Sequence, residues 1–250
     1  MIEVHDLVKS YSKDGRRALD ELSLSVKPGE LYGFLGPNGA GKTTTIKIIV
    51  GLLRPDAGSA AVADVDVLSD PLEVKRRIGY VPDEPLLYEN MTGQRFLSFI
   101  ADVFEVPAAE RSRIIDLAEE FQLRDALGDQ ISSYSHGMKQ KVAIIAALLH
   151  DPEVFILDEP IVGLDPQSSF LLKETMRRQC AKGKTVFFST HVMEVAERLC
   201  DRVGIIRHGK LVAEGPLAEL RERAGTSDAT LESIFLELTH ADTVTAESEA

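Results

Sequence analysis

An α/β fold with a mixed sheet, an antiparallel β region at the N-terminus and an inserted α-helical subdomain is what the sequence predicts. Three observations carry it. A glycine-rich turn, Gly36-Pro37-Asn38-Gly39-Ala40-Gly41-Lys42-Thr43, joins an apolar strand-like run at 30–35 to a helix-like run at 44–50. From Val154 onward apolar strand-like runs alternate with helical ones, the pattern of parallel strands joined by crossover helices. Between these regions, residues 83–150 are mainly helical in spacing and read as a subdomain inserted in the core, without a separate folding unit of their own.

Taken in order, residues 2–26 alternate with a period of two, and Asp14-Gly15 marks a hairpin-type turn, so antiparallel strands are expected there. Pro28-Gly29 turns the chain into the strand before the glycine-rich loop. After the following helix, residues 54–58 act as a stop, a short β region runs to Val67, and Asp70-Pro71 opens a helical turn. A strand at 78–81 ends at Pro82. Thr92 is the expected N-cap of a helix through Phe104, Pro107 begins a second, and Gly137 leads a third from 138 to 149. Beyond these come a strand at 154–157, a helix at 167–180, a strand at 185–189 and a helix at 193–199. His208-Gly209 then sits as a turn between two β runs, and helices are expected at 217–223 and 231–238. The domain therefore spans 1–239, with an acidic tail at 240–250 expected to be disordered.

Bulk properties narrow the function classes. The chain has 250 residues, 44% hydrophobic, and its longest apolar run, 142–149, is far too short to cross a bilayer. Its N-terminus lacks the basic start and apolar core of a secretion signal, so a cytoplasmic location is expected. A formal net charge of −12 argues against broad binding to nucleic acid or anionic lipid. Cys180 and Cys200 have no metal-ligand spacing around them and read as reduced structural thiols.

The chemistry starts at the glycine-rich turn. Gly36, Gly41, Lys42 and Thr43 satisfy G-x-x-x-x-G-K-[ST], a P-loop that holds nucleotide phosphates. Glycines let successive backbone N–H groups face an anion, Lys42 adds a point charge, Thr43 offers a hydroxyl to Mg²⁺, and Thr44 adds a second hydroxyl. A Mg²⁺-nucleotide site also needs carboxylates and a positioned water. Asp158 emerges at the carboxyl end of an apolar strand as the Mg²⁺ partner of Thr43, and Glu159 is placed to orient or deprotonate the water. Ser135 and Gly137 precede an apolar helix, where a hydroxyl and free N–H groups make an anion site. Tyr11 ends the first strand, where its ring would serve either a nucleotide base or the strand edge.

With those motifs in view, the chain resembles nucleotide-binding subunits of ATP-binding cassette (ABC) transporters over residues 2–238, and hence the ABC ATPase fold on a P-loop NTPase core. The resemblance rests on the P-loop, Tyr134-Ser135-His136-Gly137-Met138-Lys139-Gln140, Asp158-Glu159-Pro160, Gly163-Leu164-Asp165-Pro166 and Ser189-Thr190-His191. It implies ATP as substrate and Mg²⁺ as cofactor, with Tyr11 stacked on adenine and His191 contacting the γ-phosphate. Ser135, His136, Gly137 and Met138 stand in the signature segment that caps ATP held by a second subunit, and Asp165 in the position that links two sites across the dimer.

The match departs from the family in two places. Tyr134, His136 and Met138 replace the Leu, Gly and Gln of L-S-G-G-Q, and Asp83 stands where the family has a metal-sensing glutamine. The implied partners are a homologous or identical ATPase subunit and an integral-membrane permease on a separate chain, as in the exporter branch. That places the chain at the inner face of the membrane. The alternative is a soluble ABC ATPase acting on nucleic acid or ribosomes.

Overall fold

The computed structural model describes residues 1–11, 17–223 and 230–236. Two sheets form the scaffold. The first is antiparallel and follows from the alternating N-terminal sequence: β1 (Ile2–Ser10) lies between β2 (Arg17–Val26) and β4 (Ala57–Val62), with the short β5 (Val65–Asp66) at the edge. Alternation places Ile2, Val4, Leu22 and Leu24 in the core. The expected Asp14-Gly15 turn lies outside the described residues, as does the tail at 240–250.

The second sheet holds six strands in the order β10-β9-β3-β8-β7-β6. These are β3 (Leu31–Leu35), β6 (Ile78–Val81), β7 (Val154–Asp158), β8 (Thr185–Thr190), β9 (Arg202–Arg207) and β10 (Lys210–Gly215). β6, β7, β8, β3 and β9 run parallel, and β10 returns antiparallel through the turn at His208-Gly209, both in the left-handed region. The sheet is therefore mixed, as expected. β3, β7 and β8 are buried along their whole length, which accounts for their apolar centres, while the polar Asp158, Ser189 and Thr190 stand at the carboxyl ends of β7 and β8.

Helices cover both faces. α1 (Lys42–Ile49) follows β3 and packs Ile46, Ile48 and Ile49 into a core shared by the two sheets, where the Phe187 ring stacks on Tyr32 at 5.5 Å. α2 (Pro71–Arg77) is capped by Asp70, whose side chain accepts from the Glu73 N–H. The insert contains α3 (Gly93–Val103), α4 (Arg113–Glu120) and α5 (His136–Leu148). α6 (Pro166–Ala181), α7 (Met193–Leu199) and α8 (Leu217–Arg223) belong to the crossovers and the C-terminal region, where residues 231–236 are also helical.

Two expected boundaries move. The helix expected from Pro107 begins as a 3₁₀ turn at Ala108–Glu110 and becomes α-helical only at Arg113. α5 starts at His136, two residues before the expected Met138, because Ser135 caps it by accepting from the Met138 N–H at 3.3 Å. Among the described residues, no helix is long and apolar enough to cross a membrane.

Candidate nucleotide site

Strand order builds the site. β3, β8, β7 and β6 are parallel neighbours, so their carboxyl ends stand in one row. That row delivers, in turn, the P-loop, Thr190-His191, Asp158-Glu159 and Pro82-Asp83. Four segments far apart in sequence meet for this reason alone.

The P-loop backbone needs its glycines. Gly41 has φ 116°, and a Cβ there would lie 2.7 Å from the Ala18 carbonyl oxygen. A Cβ on Gly36 would approach the Ile206 carbonyl oxygen to 2.5 Å. α1 has no side-chain cap, which leaves its N-terminal N–H groups for an anion. Pro37, Asn38 and Gly39 are exposed on the rim, whereas Ala40 is buried beneath it. Lys42 is 6% exposed, and its ammonium donates to the carbonyls of Gly36 at 2.8 Å and Pro37 at 3.3 Å. Tyr11, 65% exposed, shares a 3.2 Å hydrogen bond between its hydroxyl and that of Thr44, so its ring stands beside the loop.

Glu159 joins the row together. Its Oε1 lies 3.3 Å from the Lys42 ammonium, an ion-pair distance without hydrogen-bond alignment, and Oε2 lies 3.0 Å from His191 Nδ1. The His191 N–H also donates to Oε2 at 3.3 Å. Glu159 is held at φ 47°, a region unfavourable for a non-glycine residue, by its N–H bonding to the Ser189 carbonyl and hydroxyl oxygens. The same Ser189 hydroxyl donates to Asp158 Oδ1 at 2.5 Å. Ser189 thus fixes both acids, a role sequence reading did not assign although the residue stands in the quoted Ser189-Thr190-His191.

Asp158 is 1% exposed, and its Oδ2 has no hydrogen-bond partner among the described residues. A buried carboxylate oxygen without a donor is costly unless something else meets it. Thr43, Asp83 and Asp158 line one cleft, and three oxygen donors of this type suit a hard cation such as Mg²⁺. Burial raises the Asp83 carboxyl above its ordinary value, and the charges of Asp158 and Glu159 push the same way, while His136 opposes them.

Other expected residues lie elsewhere. Ser135, His136, Gly137 and Met138 do not line this cleft. Ser135 and His136 are exposed, but Tyr134 is buried and its hydroxyl donates to the Ala126 carbonyl, so Tyr134 anchors the start of this segment. Asp165 caps α6 by accepting from the Ser168 N–H at 2.9 Å and from the Ser168 hydroxyl, and it faces Lys141 at 3.6 Å. The Ser168 hydroxyl first, then its N–H and the Lys141 charge, hold the Asp165 carboxyl down at about 2. Its side chain is engaged within its own chain. Cys180 and Cys200 are free thiols, and burial pushes Cys180 up to about 11 and Cys200 well above its usual value. Neither is poised as a nucleophile.

Residues 19–162 match the family model described as ABC transporter. An uncharacterized ABC transporter ATP-binding protein of Nostoc is 42% identical over 81% of this chain, which spans only 61% of that relative. ABC-type transporter ATP-binding protein EcsA of Bacillus subtilis is 37% identical over 97% of this chain and 98% of its own length. A solved structure titled as an ATP-binding subunit of an ABC transporter superposes with a TM-score of 0.91 at 37% identity, over 96% of this chain and 99% of that one. The alternative reading as an ATPase acting on nucleic acid or ribosomes finds no support among these relatives.

Proposed function

This chain belongs to the ABC transporter family, and from that premise we propose that it is the ATP-hydrolysing subunit that drives export through a separate membrane permease. The observation that carries this reading is the Lys42–Glu159–His191 bridge at the row of strand ends. It supplies an anion-binding cation, a carboxylate and an imidazole within contact of one another.

Each residue has a role in that reading. Backbone N–H groups over residues 36–44 and the Lys42 ammonium hold the β- and γ-phosphates. Lys42 exchanges its present carbonyl partners for phosphate oxygens. Tyr11 carries the adenine on its exposed ring. Thr43 and Asp158 would hold Mg²⁺, with Asp83 in the same cleft, and the chemistry it would supply there is neutralisation of phosphate charge. Glu159 accepts the proton of the attacking water, and His191, held against Glu159 Oε2, orients that carboxylate and faces the γ-phosphate.

The segment Ser135, His136, Gly137 and Met138, exposed or half-buried at the start of α5, serves ATP bound by a second subunit in a head-to-tail dimer, with Ser135 and Gly137 making the phosphate contacts. The second subunit is this chain again or a homologue. Permease docking is supported by the other side of that cleft, where the insert supplies Leu87, Phe96 and Ile100 and Leu86 stands at 95% exposure. Docking there would hold the subunit on the inner membrane face. Export follows the Tyr134–Gln140 wording, similar to exporters with separate ATPase chains.

Glu159→Gln tests the assignment. The expected result is a fall in ATP hydrolysis on the order of 100-fold or more, with ATP still bound and a dimer trapped on size exclusion. Hydrolysis at the wild-type rate would remove Glu159 as the proton acceptor.

A further inference from the structure

The signature segment and the loop that follows Glu159 touch within one chain. A Cβ built on Gly163, whose φ is 80°, would lie 2.6 Å from His136 Cδ2 and 2.7 Å from Nε2. The imidazole therefore rests directly on the Gly163 backbone. A Cβ on Gly137 would come within 3.5 Å of the Gly163 carbonyl oxygen. One turn further along α5, Lys141, 12% exposed, faces Asp165 at 3.6 Å. Ile161 and Leu164 pack on the main apolar cluster and Asp165 is tied to Ser168, so the loop at 160–165 is held at its ends. Its exposed middle, Val162-Gly163, has only 3.3 Å bonds within the loop, from the Val162 and Leu164 N–H groups to the Glu159 and Ile161 carbonyls, and there the start of α5 is what it rests on.

We propose that His136 is a positioning residue: its ring braces the 160–165 loop against the start of α5, fixing Glu159 at one nucleotide site relative to the signature segment that serves the other. The inference rests on the two-site reading above and names the side chain that joins the sites. It also accounts for a sequence departure, since the family's glycine at this position has no ring to place on Gly163. With His136 in place, a shift of α5 that follows capping of the partner's nucleotide moves the chain leading directly to Glu159. Lys141 and Asp165 form the second strut of the same brace.

Five versions of the full chain decide it: wild type, His136→Gly, His136→Phe, Gly163→Ala and the double variant with His136→Gly and Gly163→Ala. Amide hydrogen exchange of residues 160–165, measured without nucleotide, should rise in His136→Gly and stay near wild type in His136→Phe, because a ring alone suffices for packing. ATP hydrolysis by His136→Gly should fall roughly fivefold in kcat, with its Hill coefficient dropping to about one and KM little changed. His136→Phe should recover most of both. Gly163→Ala should cost more in wild type than in the His136→Gly background, where the ring is gone and only the backbone strain remains. Unchanged exchange in His136→Gly would overturn the brace. Phe behaving as Gly in hydrolysis would overturn it too, in favour of direct contact between the imidazole and phosphate. A wild-type chain that neither pairs with a second ATPase subunit nor hydrolyses ATP would overturn the two-site reading and the coupling role with it, while the exchange result would still report on the contact itself.

Discussion

At the scale of single residues, the surroundings of a side chain decide what its chemistry is used for, and His150 is the clearest case. Its Nε2 lies 2.9 Å from the Ile78 carbonyl, its ring stacks on Phe104 at 3.9 Å, and its Nδ1 is buried without a partner among the described residues. Burial first, then the charges of Arg113 and Lys184, lower its pKa to about 4, against opposing effects of the Ile78 carbonyl and Asp151. An unfolded histidine titrates near 6.5. Between those values the unfolded chain binds more protons than the native one, so this contribution is complete above about pH 6.5 and is lost as pH falls towards 4. Its size is about 2 kcal/mol after discounting for the ring's partial exposure. Thermal melts from pH 7 to 4.5 should therefore fall less steeply in His150→Phe than in wild type, and parallel curves would exclude His150 as a source of the acid sensitivity.

The same scale shows what a motif conveys and what it leaves out. Lys42, Asp158, Glu159 and His191 were legible because each follows a buried strand in a recognisable spacing. Ser189 was not given a role, because a hydroxyl inside a strand has the same sequence signature whether it packs or fixes two acids. Asp165 carries a motif position, yet its oxygens are taken up by Ser168 and Lys141, neither of which the motif names.

At the scale of elements, periodicity identified the strands and long helices, and caps set their ends. Thr92 shows the rule at work: its hydroxyl accepts from the Arg95 N–H at 3.2 Å, and α3 begins at the next residue. Thr92→Ala should destabilise the chain by about 1 kcal/mol, read as an earlier midpoint in urea with an unchanged slope; a midpoint equal to wild type would mean that the 3.2 Å bond contributes nothing. Where periodicity is short, the reading slipped. Ala108–Glu110, Arg124–Ala126 and Ile131–Ser133 are single 3₁₀ turns, too brief to show a repeat in sequence. Gly137 leads α5 in the sequence pattern, whereas in the structure Ser135 caps the helix and Gly137 lies within its first turn.

At the scale of the whole molecule, strand order was beyond sequence reading, since alternation of strand and helix does not say that β3 lies between β8 and β9. Burial of the insert is similarly a property of the assembled chain. One continuous apolar cluster joins Phe96, Leu97, Ile114 and Phe121 of the insert to Phe155, Leu157, Val186 and Phe188 of the sheet. Glu120 crosses from α4 to α6, accepting from Thr175 at 3.0 Å and Arg178 at 2.6 Å. We therefore treat residues 83–150 as part of a single folding unit, and Phe121, fully buried in that shared cluster, tests it. Phe121→Ala should cost about 3–5 kcal/mol. If the core is shared, calorimetry will show one transition in both proteins, shifted as a whole in the variant, because a cavity in the insert also loosens what packs against β7 and β8. If the insert folds alone, the variant will split into two transitions, with the sheet melting where it does in wild type.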